Sequence, residues 1–269
     1  MNNPTFSRTT LAPMGLALLL AGCAHAAPQA PAAGAAATAG TPATAWDDAR
    51  QLVLVTTPDA DATQGQMRTY EREGAGWRAV GDAIPVTVGR SGIAWGLGLH
   101  PAQPGLQKRE GDGRAPAGAF HIGTVFGYAP SAATALPYAA MTATHWCVDV
   151  NGSPFYNRIV DSRVVGEAAV KDSTEPMRRD LHADGDQRYR LGFVIENNPD
   201  AVAGAGSCIF AHLWKAPGES TAGCTAMASP AMDRLTGWLR PEAHPVFVQL
   251  TVADADRLRG AWHLPARKD

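Results

Sequence analysis

Cys224 stands in the small-residue run Ser220-Thr221-Ala222-Gly223-Cys224-Thr225-Ala226-Met227. His212 closes the apolar segment Ser207-Cys208-Ile209-Phe210-Ala211-His212 twelve residues earlier. A sulfur becomes a nucleophile toward carbonyl carbon when a base takes its proton, and imidazole is the side chain best matched to that exchange near neutral pH. Glycine and alanine beside the sulfur leave it reachable, and a strand end holds the ring still. The pair therefore reads as a cysteine nucleophile with His212 lowering its pKa and serving as its base. The oxyanion formed on attack needs aimed N–H groups, and the backbone amides of Gly223 and Cys224 are the nearest in sequence. Thr221 either bonds to this turn or only fills it. The bland alternatives are a buried structural cysteine and a satisfied histidine. No metal site is expected, because neither residue belongs to a close ligand pair, and no cofactor is called for.

The order His212, Leu213 to Ser220, then Thr221-Ala222-Gly223-Cys224 resembles the signature of the YkuD-type L,D-transpeptidases: a strand ending in His, a variable loop, then Ser/Thr-x-Gly-Cys. The run Lys108-Arg109-Glu110-Gly111-Asp112-Gly113-Arg114-Ala115-Pro116-Ala117-Gly118-Ala119-Phe120 resembles the same family's segment Gly-Asp-Gly-x-Thr/Ala-Pro-x-Gly-x-Phe. Taken alone, that run lacks the Lys-Ser/Thr of a P-loop and the spaced acids of an EF-hand, so it reads as a turn feeding a strand. The resemblance spans residues 50–252 and implies a mainly β chain, a YkuD-like β-sandwich catalytic domain with a few peripheral helices.

What the resemblance implies for activity is acyl transfer on peptidoglycan stem peptides. Cys224 attacks the carbonyl of a diamino acid, D-Ala leaves, and an amine of a second stem resolves the thioester. Water in place of that amine makes an L,D-carboxypeptidase or amidase. An idle pair makes a wall-binding lipoprotein. Family members commonly carry Arg two residues after the cysteine, where this chain has Ala226, a departure that leaves attack after the first stem residue open. Arg178 and Arg179 offer a replacement charge for a stem carboxylate, or are a solvated basic pair. Tyr156, beside Asn157, lines the groove or packs in the core. The resemblance also implies a backbone carbonyl that orients the histidine, which the sequence does not locate. With Cys224 assigned as nucleophile, Cys147 and Cys208 are left as a disulfide; three reduced thiols are the alternative.

The ends of the chain set its compartment. Arg8 precedes the apolar stretch Leu11 to Ala21, which is short for a membrane span and ends in Leu20-Ala21-Gly22-Cys23. Residues 1–23 read as a lipoprotein signal peptide with lipidation at Cys23; an ordinary cleavage after Ala24-His25-Ala26 is the alternative. The expected location is the periplasm, on an outer-membrane lipid anchor of a Gram-negative cell, where disulfides persist. Residues 24–46 are nearly all Ala, Pro, Gly and Thr and read as a linker. Residues 47–269 form the domain. The chain has 23 Lys+Arg and 25 Asp+Glu, and Arg8 is the one such residue before Asp47, so the exported part carries −3 and gives no footprint for nucleic acid.

The elements that must hold the pair are short and β-rich. Leu52 to Thr56, Gln66 to Glu71, Trp77 to Val80 and Ile84 to Gly89 read as an antiparallel meander, with Gly74-Ala75-Gly76 and Gly81-Asp82 as turns. Ala119 to Gly123, Leu191 to Glu196, Cys208 to His212 and Pro245 to Val252 are further predicted strands. Ser229-Pro230 opens a helix over Pro230 to Leu239, with Met232, Leu235 and Leu239 on one face. Glu175 to Leu181 and Asp254 to Arg259 are candidate short helices. Residues 128–190 are long and irregular, and read as an elaboration walling a substrate groove.

Overall fold

The computed structural model describes residues 44–266. The signal peptide, the lipidation candidate Cys23 and most of the linker lie outside the described residues. Trp46, assigned to the linker's end, is instead buried, with its ring edge-on to Trp262 at 5.2 Å. A side chain that large leaves the linker as soon as the core offers it a partner.

The described chain is mainly β. Its strands are β1 (Gln51–Thr57), β2 (Gln64–Glu73), β3 (Gly76–Thr87), β4 (Ile93–Trp95), β5 (Ala115–Gly127), β6 (Tyr138–Ala140), β7 (His145–Val148), β8 (Arg158–Asp161), β9 (Glu175–Pro176), β10 (Leu191–Ile195), β11 (Phe210–Leu213), β12 (Thr225–Met227) and β13 (Val246–Thr251). The helices are short: α1 (Ser162–Val165), α2 (Arg179–His182), α3 (Ser229–Trp238) and α4 (Val252–Leu258). The main sheet runs β10-β11-β12-β3-β2-β1-β13-β5-β4, and β10 also pairs with β5. That second pairing closes the sheet on itself. The central strands β1 and β13 lie parallel, Leu52 opposite Val246, and both are buried along almost their full length. Burial on both faces is why they read as continuous apolar runs rather than alternating ones.

Several boundaries differ from the sequence reading. Trp77 to Val80 and Ile84 to Gly89 are one strand, β3. Thr69 pairs with Val80 and Met67 with Ile84, so Gly81, Asp82 and Ala83 oppose Arg68 alone, in a bulge with Gly81 at φ +72°. A Gly-Asp pair serves a bulge as well as a turn. Strand β11 starts at Phe210 because Cys208 is left-handed, φ +55°. Helix α3 is capped by Ala228 and not by Ser229, which lies inside it. Glu175–Pro176 pairs as β9 with β7, and the helix begins only at Arg179. Within 128–190, β8, β7 and β9 form a separate three-stranded sheet.

Candidate active site

Three chain segments converge on Cys224. The first is the Gly-rich turn. Asp112 accepts from the backbone amides of Arg109 (2.8 Å) and Arg114 (2.9 Å) and from the buried Lys108 Nζ (2.7 Å), which fixes the loop. The Arg114 carbonyl then lies 3.0 Å from where a Cβ on Gly223 would sit. Glycine before the cysteine is a matter of room for that carbonyl. The second is the segment entering β3's neighbour, where the Thr221 amide donates to Val88 (2.9 Å) and the Arg90 amide to Thr221 (2.7 Å). The third is β11, parallel to β12 with Ala211 opposite Thr225 and His212 opposite Ala226. Behind the sulfur, Thr225 Oγ1 donates to Gln249 Oε1 (2.8 Å), and Gln249 Nε2 donates to the Pro116 carbonyl (2.9 Å). That buried bridge ties β12, β13 and the start of β5 together.

Phe210 donates its amide to Cys224 Sγ (3.4 Å), and the thiol faces the Cys208 carbonyl at 3.6 Å. His212 lies two residues beyond Phe210 on the same face of β11. Both rings meet Tyr189 edge-on, at 5.3 Å for His212 and 5.5 Å for Phe210. His212 Nδ1 lies 2.7 Å from the Leu213 carbonyl. A carbonyl only accepts, so Nδ1 carries the proton and the neutral ring keeps its lone pair on Nε2. The carbonyl that faces the ring's Nδ1 is thus that of Leu213, the next residue in the chain. Among the described residues, His212 and Cys224 share no hydrogen bond.

The thiol is not open, contrary to the sequence reading. Cys224 and His212 are 8% and 3% exposed. Cys224 shares one buried cluster with Met141, Met177 and Tyr189, so side chains of residues 128–190 help to cover the thiol. Nor is its pKa lowered. Burial pushes the thiol up to about 12, with the Glu175 carboxylate adding to this and the Phe210 amide opposing it. Burial pulls His212 down to about 4 against the Leu213 hydrogen bond, and Arg188 and Arg179 lower it further. Both groups are neutral at neutral pH.

Other assignments change in the same way. Thr221 Oγ1 donates to the Cys224 carbonyl (2.6 Å) and accepts from the Gly223 amide (3.1 Å). Gly223's amide is therefore engaged within the turn and not held in reserve for an oxyanion. Arg178 is not a free cation: it forks onto Asp180 at 2.8 and 2.7 Å and lies over the Tyr128 ring. Arg179 bonds Glu175 and Asp186, both at 2.9 Å, over the Tyr189 ring. Tyr156 is buried and donates to Glu110, which also accepts from Ser207 Oγ (2.7 Å); it packs and does not line a groove. Cys147 and Cys208 are joined as a disulfide, and Cys224 is the free cysteine among the described residues.

Sequence reasoning missed the layer over the histidine. Arg188 and Arg179 share Asp186 (2.6 and 2.9 Å), and the half-buried Glu175, ion-paired to Arg179, has its carboxyl pushed above its ordinary range by desolvation. Tyr189, between this layer and the His212 ring, is held protonated by burial. The available signal was the cluster Asp186-Gln187-Arg188-Tyr189-Arg190 directly before a strand, but charge density in sequence does not reveal burial. No family model, no curated protein and no solved structure matches this chain.

Proposed function

We propose that the protein is a periplasmic cysteine acyltransferase of the L,D-transpeptidase type, a YkuD-like β-sandwich domain acting on peptidoglycan stem peptides through a Cys224 thioester. The observation that carries this reading is the neutral His212, fixed through Nδ1 by the Leu213 carbonyl with its Nε2 lone pair free for a proton, on the strand paired to the one that follows Cys224. The buried, protonated thiol favours proton transfer to His212 during attack on the stem carbonyl over a standing thiolate–imidazolium pair. S–C bond formation then accompanies loss of the D-Ala amine, which takes the proton back from His212. An amine of a second stem resolves the thioester. The Cys224 amide is the oxyanion donor left by Thr221's claim on Gly223.

Access requires the cover of Met141, Met177 and Tyr189 to move. The test is incubation of the purified protein with muropeptides, read by mass spectrometry. New dimers support transfer. Shortened stems without dimers assign the hydrolytic alternative. A Cys224→Ala variant that keeps all activity of the parent protein overturns both. A carbapenem adduct on Cys224, absent in that variant, is expected in parallel.

A further inference from the structure

A cavity of about 180 Å³ lies between β1, β2 and α4, and it shares no residue with the cluster that holds Cys224. Sheet register sets its floor. Leu54 on β1 lies opposite Arg68 on β2, and Arg68 and Tyr70, two residues apart, present their side chains on one face. α4 leaves β13 at Thr251, whose hydroxyl caps it by accepting the Asp254 amide (2.9 Å), and Ala255 becomes a wall of the cavity. The chain then turns back, with the Leu264 amide donating to the Arg259 carbonyl (2.9 Å), and Leu264 and Pro265 complete the lining. Leu54, Ala255 and Leu264 are all buried, so the body of the cavity is apolar.

Two of its polar side chains have no partner. Tyr70 is 4% exposed, yet its hydroxyl makes no hydrogen bond among the described residues. A phenol that deep is ordinarily paired. Arg68, half-buried beside it, has neither an ion pair nor a hydrogen bond among the described residues. Arg259 differs: its guanidinium is spent on Asp256 and on the Pro265 carbonyl. Asp256, the one carboxylate among the described lining residues, is held by that pair. Burial raises the Tyr70 pKa, and Arg68 and Arg259 both oppose that rise, which puts both guanidiniums near the hydroxyl. An uncommitted cation and an uncommitted O–H donor therefore share one apolar cavity.

We propose that this cavity binds a small carboxylate with an apolar body, a single aromatic ring or a short aliphatic chain. The Arg68 fork takes the carboxylate oxygens, the Tyr70 hydroxyl donates to one of them, and the apolar body fills the space among Leu54, Ala255 and Leu264. An apolar cavity of about 150 Å³ accepts a benzene ring, so the volume here holds one ring with its carboxylate. Inorganic phosphate answers the cation and leaves the apolar walls uncovered. A neutral ring does the reverse. The site makes and breaks no bond, and it stands apart from the acyl-transfer reading.

The test titrates the purified, isotope-labelled protein with benzoate, benzyl alcohol and inorganic phosphate, read by NMR amide shifts. Benzoate is expected to bind with a Kd on the order of 1 mM, to shift the amides of Arg68, Tyr70 and Ala255, and to bind about tenfold more tightly than either of the others. Arg68→Gln should weaken benzoate about tenfold and leave benzyl alcohol as it was, and Tyr70→Phe should weaken benzoate about threefold. Neither side chain holds a partner among the described residues, so both variants should melt like the parent. The comparison with benzyl alcohol needs no variant and decides the proposal even if Arg68→Gln folds less well. Benzoate binding no tighter than benzyl alcohol or phosphate overturns it. So does benzoate affinity unchanged in Arg68→Gln, or amide shifts confined to other parts of the chain.

Discussion

At the scale of single residues, the burial of His212 has a measurable consequence apart from any activity. The unfolded imidazole gains its proton as pH falls through about 6.5, whereas the folded one resists until about 4. Across that window the unfolded state binds more protons, so stability is lost as pH falls, by on the order of 3 kcal/mol in full. His212→Gln removes this titration; its urea midpoint should therefore change less than the parent's between pH 7 and pH 4.5. For Cys224 the sign places the window at the alkaline end. The unfolded thiol ionises near 9 and the folded one near 12, so its contribution is present below 9 and lost above it. Thr221 is testable at the same scale. Thr221→Val deletes both bonds of Oγ1 and should cost roughly 1–3 kcal/mol of stability, with loss of muropeptide turnover, whereas Thr221→Ser should restore both. Equal behaviour of the two variants would mean that the hydroxyl only fills space.

Among the elements, the one with most leverage on the thiol is the junction between β7 and the entry to β11. The Cys147–Cys208 bond spans 61 residues of sequence and fastens the covering segment to the strand whose backbone touches Sγ. On the chain-entropy model a loop of that length is worth about 4 kcal/mol. Mild reduction, or Cys147→Ala with Cys208→Ala, should lower the melting temperature and speed iodoacetamide labelling of Cys224. Unchanged labelling would show that the cover holds by packing alone. This junction also marks the limit of what sequence made legible. The positions of Cys224, His212 and the Gly-rich turn were readable because their neighbours are small, turn-forming or apolar in runs. The cover was not, because Met141, Met177 and Tyr189 come from irregular segments without periodicity, and their burial is decided by a fold that brings them into one cluster with Phe210 and Cys224. The pairing of Arg178 and Arg179 with acids was equally hidden: Asp180 is adjacent in sequence, but Glu175 and Asp186 reach Arg179 only through the path of the segment.

For the molecule as a whole, closure of the sheet depends on residues near both ends of the described chain. β1 pairs with β13 along six positions, and Arg50 donates its amide to Ala243 (2.7 Å) just before β1 begins. Mainly β character was readable from short apolar runs, while the return of β10 onto β5 was not, since no local pattern encodes which distant edge a strand meets. The same long-range logic fixes where the domain begins. Trp46 and Ala49 are buried, and the Arg72 guanidinium bonds the Ala49 and Asp47 carbonyls at 3.2 Å. A chain starting at Thr44 keeps all of these contacts, and one starting at Gln51 loses them while retaining every strand. The first should melt like the full-length protein. The second loses a buried tryptophan, worth roughly 3–5 kcal/mol by analogy with truncation to alanine, and should melt well below it. Calorimetry of the two truncations decides the matter: if both match the full-length chain, the Trp46–Trp262 contact contributes nothing to closure and the boundary belongs at β1.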